Sequence, residues 1–263
     1  MNHRWTRKIA LSGTALIVAV GLVLGGIVPA NAATAPKISI KLTRVSSSQT
    51  VTGDNVSFTG TVSSQLRGRK ITLQRMDPGK STWVSVGTAT VSSKATFSVK
   101  GKAAGMGTNK WRATYTGTYS YKSATLSTTV SRWLYLDDLK PVSDDLYDFT
   151  TANVGGKTYT KGLTRSVWWG GDTTSVYNLS YKCSSFISGI GLDNSTRSGG
   201  KALFFTDLDG AEKIWGAAIG VGNGRAIQLD TRGAFRLTVG VRLVAGEPTV
   251  VFGNARILCS GMP

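Results

Sequence analysis

The stretch Tyr177–Trp215, YNLSYKCSSFISGIGLDNSTRSGGKALFFTDLDGAEKIW, decides the fold class of this chain. Inside it, Cys183 to Leu192 and Ala202 to Leu208 are rich in β-branched and aromatic residues. Each ends in a turn signal, Asp193-Asn194 after the first and Asp209-Gly210 after the second. The two segments are therefore predicted to be antiparallel strands paired with each other. Outward from this stretch, β-prone runs recur at Arg165 to Trp168, Ser175 to Leu179, Ile214 to Ile219, Ala226 to Leu229, Ala234 to Val244 and Thr249 to Leu258. Eight strands in one domain suit a jelly roll.

The region from Lys37 to Ser131 shows no helical period. It reads as seven short β-rich runs, among them Asn55 to Val62, Lys70 to Arg75 and Asn109 to Thr116, divided by turn residues such as Gly53-Asp54 and Asp77-Pro78-Gly79. That spacing is expected of a β-sandwich. The predicted fold class is all-β, an N-terminal β-sandwich, Ig-like by the resemblance given next, followed by a jelly-roll β-sandwich.

Particular residues carry two resemblances. In the second half they are Tyr177-Asn178-Leu179, Phe186, Gly191-Leu192-Asp193, Phe204-Phe205, Asp209-Gly210 and Trp215, preceded by Trp133 to Val142 and by Gly156 to Leu163. This order resembles the NPCBM family, carbohydrate-binding modules often attached to secreted glycoside hydrolases. The resemblance implies a jelly roll over 132–263 and a binding rather than a catalytic role. In the first half, Val56 to Val62, Ile71 to Arg75, Trp83 to Val86 and Tyr115 are similar to bacterial Ig-like domains, which implies a spacer or adhesion module over 33–131. The chain departs from the NPCBM pattern where Thr249 stands in place of His and Phe252 in place of Trp.

Composition narrows the chemistry. Arg4, Arg7 and Lys8 precede an apolar run from Ile9 to Val28 and a small-x-small site, Ala30-Asn31-Ala32, which together read as a signal peptide over 1–32 cleaved before Ala33. An uncleaved run of that length could instead anchor the chain in a membrane. Export predicts a secreted protein, with no membrane contact after cleavage and no nucleic acid as its partner. The only histidine, His3, would leave with the signal, which removes imidazole from any triad or zinc site. Two cysteines, Cys183 and Cys259, are expected to pair in oxidising surroundings. The chain carries 14 basic and 2 acidic residues between Lys37 and Ser131, against 14 and 12 from Arg132 onward. A basic first half suits anionic cell-wall polymers, or merely keeps the protein soluble.

Sugars present apolar ring faces and dense hydroxyls, so the residues expected to meet them are aromatic plates flanked by Asp or Asn. The candidates are Trp168, Trp169 and Asp172 around Gly170-Gly171, then Asp193, Asn194, Asp209 and Asn254. Trp168 and Trp215 have a competing reading as core residues, and Asp209-Gly210 one as a simple hairpin turn. Asp207 with Asp209 makes a fragment of a calcium loop, so Ca²⁺ stays open as a cofactor and no other is expected. Three functional readings follow: a non-catalytic carbohydrate-binding protein, a structural surface module with a degenerate sugar site, and a glycoside hydrolase using an Asp pair.

Overall fold

The computed structural model describes residues 38–45, 49–168 and 170–263. The expected signal peptide, and Trp169 with it, lie outside the described residues. Among them no helix is long and apolar enough to cross a membrane. The chain is all-β, with several antiparallel sheets.

The first half contains β1 (Ile40–Arg44), β2 (Asn55–Val62), β3 (Lys70–Met76), β4 (Val84–Thr90), β5 (Thr96–Lys102), β6 (Gly107–Thr116), β7 (Ser120–Lys122) and β8 (Leu126–Val130). One sheet runs β1-β2-β5 and a second β4-β3-β6-β7, with β8 also on β6. In β2 every second residue is buried, Val56, Phe58, Gly60 and Val62, as the two-residue period of a strand requires. The side chains of Val56, Phe58 and Val62 meet Ile71, Leu73 and Trp111 of the other sheet in one core, with the Phe58 and Trp111 rings 4.9 Å apart.

The second half contains β9 (Arg132–Tyr135), β10 (Ser143–Asp144), β11 (Tyr147–Asp148), β12 (Ala152–Val154), β13 (Lys157–Tyr159), β14 (Gly162–Ser166), β15 (Asp172–Asn178), β16 (Cys183–Leu192), β17 (Lys201–Leu208), β18 (Ala211–Ile214), β19 (Ile219–Gly220), β20 (Gly224–Asp230), β21 (Arg236–Ala245) and β22 (Thr249–Cys259). One sheet runs β10-β15-β21-β17-β18, with β19 on β17. The other runs β11-β14-β22-β16-β20, with β9 on β22. Inward residues of both, including Tyr177, Phe186, Phe204, Leu237, Val250 and Phe252, share a single core.

Two expectations are corrected. β16 and β17 are not partners: β16 lies between β22 and β20, and β17 between β21 and β18. The eight residues 193–200 carry the chain from one sheet to the other, where a hairpin would need two to five. The two strands lie in different sheets, and their inward residues, among them Phe186 and Phe204, share one core. The strand expected over Ile214–Ile219 is instead β18, which returns along β17 after a two-residue turn, Leu208 opposite Ala211. Gly216 at φ +81° ends that run.

Cys183 and Cys259 are bonded, and they stand opposite each other on β16 and β22. The bond therefore joins strands that the sheet already pairs. β22 exchanges one neighbour for another along its length. It pairs with β14 up to Gly253 and with β9 from Arg256. At the changeover Asn254 adopts φ +50° and its N–H donates to Lys161 O at 2.7 Å. Asn is among the few residues that enter this left-handed region at small cost.

Candidate functional site

The loop between β14 and β15 passes from one sheet of the second half to the other. Val167 anchors it: the side chain is buried and the N–H donates to Pro248 O at 2.9 Å. Since neighbours in extended chain point to opposite sides, Trp168 is turned outward and is 67 % exposed. This corrects the reading of Trp168 as a core residue. Gly170 and Gly171, the latter at φ +126°, lead into Asp172 at the start of β15.

Asp172 stands directly opposite Arg242 of β21. The guanidinium donates to both carboxylate oxygens at 2.8 Å, reaches Glu212 at 3.2 Å and lies 5.1 Å over the Phe205 ring. The hydrogen bonds from Arg242 hold the Asp172 carboxyl below the usual carboxylate range. On the other side of the loop Arg165 donates to Asp145 O at 2.6 Å, sits 3.6 Å from the Asp145 carboxylate and lies 5.5 Å over Tyr147. Trp168, Asp145, Arg165, Gly171, Asp172 and Thr173 border a cleft of about 390 Å³. The cleft offers an open indole beside ordered carboxylates, the combination that stacks a sugar ring and holds its hydroxyls.

A pH measurement checks this arrangement. A depressed carboxyl contributes stability that is present above pH 3.8 and lost as pH falls through the folded-state value. Both partners are about two-fifths exposed, so solvent screening holds the contribution below about 1 kcal/mol. NMR titration should place Asp172 below an ordinary Asp, and Arg242→Met should return it to the normal range. An ordinary Asp172 pKa in the unsubstituted protein would mean that the pair does not form.

The NPCBM/NEW2 domain family matches residues 120–257, more than half of the sequence. The chain belongs to that family. The match begins inside β7 rather than at residue 132, and leaves 38–119 outside it. Membership points to a carbohydrate-binding module, a class that is generally non-catalytic. No curated protein matches the chain at a significant level.

Within the NPCBM/NEW2 domain the remaining candidates are dispersed. Asp193 accepts from the Asn153 N–H at 2.8 Å, and from the N–H and hydroxyl of Ser195 at 2.9 and 2.5 Å. Burial raises its pKa, but these bonds outweigh burial and the carboxyl sits below its ordinary value. Asn194 is exposed, its N–H donating to Asn153 O. Asp209 and Gly210, at φ +52° and +94°, form the hairpin turn between β17 and β18. The Asp209 carboxylate accepts the N–H groups of Phe235 and Arg236, both at 2.8 Å, so its oxygens are engaged in holding a second turn. Asp207 accepts from Gly210 N–H. Among the described residues no group of three or more His, Cys, Asp or Glu is placed to hold a metal. Asn254 faces another pocket, beside Arg256 on the outer side of β22.

Of the candidates among the described residues, the cleft brings together only Trp168 and Asp172. Arg242, Arg165 and Asp145 were missed there, because cross-strand register places them and no local motif does. Trp215 is partly buried and its indole N–H donates to Thr206 Oγ1 at 3.1 Å. Phe252, one of the two departures from the family pattern, is fully buried with its ring edge-on to Phe204 at 5.3 Å. That departure concerns packing rather than ligand contact.

Proposed function

We propose that this chain is an exported, non-catalytic carbohydrate-binding protein whose glycan stacks on Trp168 and takes hydroxyl contacts from Asp172, Asp145 and Thr173. The observation that carries the reading is the exposure of Trp168 within a cleft of a family of carbohydrate-binding modules. An indole left open to water costs free energy that a sugar face recovers. The non-catalytic part rests on charge. A general acid needs a raised pKa, and in this cleft the hydrogen bonds from Arg242 hold Asp172 low. The first half would serve as a basic, Ig-like spacer facing an anionic cell-wall polymer, and the second as a jelly-roll head.

Titration of the protein with a panel of neutral oligosaccharides, followed by heat and Trp fluorescence, tests the reading. At least one sugar should bind, and Trp168→Ala should weaken it about tenfold, the loss expected for one stacked ring. Binding unchanged by Trp168→Ala would dismiss the cleft.

A further inference from the structure

The outer side of the β14-β22-β16-β20 sheet carries a second, chemically different pocket of about 440 Å³. Gly189 and Gly253 are cross-strand partners, and both lack the Cβ that would strike the Tyr159 side chain, at 2.1 Å from its hydroxyl and 2.4 Å from its ring. The β12–β13 hairpin therefore lies directly on the sheet, Tyr159 packing with Val154 and Val251. Beside its rim, Gln228, Ile187 and Arg256 form one cross-strand row, and Lys157 and Asn254 border the same hollow.

Two of the cations of this half that lack carboxylate partners border this pocket together. Among the described residues Arg165, Lys161, Arg197, Arg232 and Arg242 of this half have such partners, whereas Arg256 and Lys157, like Arg132, Lys140, Lys182, Lys201, Lys213, Arg225 and Arg236, have none. Arg256 lies 5.0 Å over the Trp133 ring, and its buried Nε has no hydrogen-bond acceptor. Lys157 lies 4.8 Å over Tyr159. The lining strands β13, β16, β20 and β22 contain one carboxylate, Asp230, and Arg232 already engages both its oxygens at 3.0 Å. Two cations are thus fixed on aromatic rings with no counter-ion, next to two side-chain amides. A guanidinium ordered by stacking loses less freedom on taking a carboxylate, and its planar fork fits one.

We propose that this pocket is a second ligand site that takes the carboxylate-bearing residue of an acidic glycan. Arg256 and Lys157 hold the carboxylate, and Asn254 and Gln228 hold ring hydroxyls. The site lies apart from the Trp168 cleft and does not depend on that cleft binding sugar.

The test is calorimetric titration of the full chain with trigalacturonate and with its carboxyl-reduced neutral counterpart, at constant ionic strength. Trigalacturonate should bind at least tenfold more tightly than the neutral sugar. Arg256→Met should lose at least tenfold in affinity. Arg256→Lys, which keeps charge and stacking but not the fork, should lose several-fold. Asn254→Gly keeps the backbone conformation and should lose about threefold, while Trp168→Ala should change nothing. Equal affinity for the neutral sugar, or unchanged binding in both Arg256→Lys and Asn254→Gly, would overturn the proposal. A sulfated trisaccharide binding tenfold more tightly than the uronate would overturn the carboxylate assignment. Loss of uronate binding in Trp168→Ala alone would place it in the other cleft.

Discussion

Replacing Cys183 and Cys259 with Ser, or reducing their bond, should lower stability by about 4 kcal/mol and the unfolding midpoint by roughly 10 °C. The reasoning concerns the unfolded chain. The cysteines are 76 residues apart in sequence, so the bond closes a long loop and removes much of the freedom of the denatured ensemble. The folded state gives up little in return, because the two positions are already cross-strand partners on β16 and β22. Both are buried, so the serine hydroxyls would also enter an apolar core at some further cost. Calorimetry with and without reductant measures the difference. A shift of less than about 2 °C would show that the sheet holds β22 without the bond.

Phe252→Ala should cost about 3–5 kcal/mol, enough to unfold most of the second half at moderate denaturant concentrations. Phe252 has no solvent exposure and stands between Leu163 of β14 and Ile190 of β16, its cross-strand partners. Its ring meets Phe204 of the opposite sheet edge-on, at 71°. Truncation opens a cavity among residues of β14, β16, β17 and β22, and close packing leaves the neighbours little room to collapse into it. Urea unfolding of Phe252→Ala, Phe204→Ala and the double variant measures both the cost and the coupling. The pair shares one contact, so the double variant should fall short of the sum. Strict additivity would mean that the rings do not interact.

How much of this was legible beforehand depends on the range of the interaction. The expected spans Cys183–Leu192 and Ala202–Leu208 agree with β16 and, to within one residue, with β17, since residue type and the following turns are local signals. The Asp209-Gly210 turn was legible for the same reason, as it needs positive φ at adjacent residues. That the Asp209 carboxylate caps Phe235 and Arg236, 26 and 27 residues away, was not legible. Trp168 shows the limit most clearly. Val167 is buried and its N–H is held by Pro248, far along the chain, and this leaves Trp168 facing outward.

The sequence by itself determined an all-β chain, its NPCBM kinship, and the disulfide, because strand period, turn chemistry and residue type are properties of neighbours. Only the tertiary structure decided that β16 and β17 lie in different sheets around one core instead of pairing. It also decided which carboxylates are tied to arginines and which cations stand without one. Backbone edges are chemically alike from strand to strand, so the partner of each is chosen by burial of both its faces against residues distant in sequence. Side-chain charges are then paired or left open by the register that choice imposes.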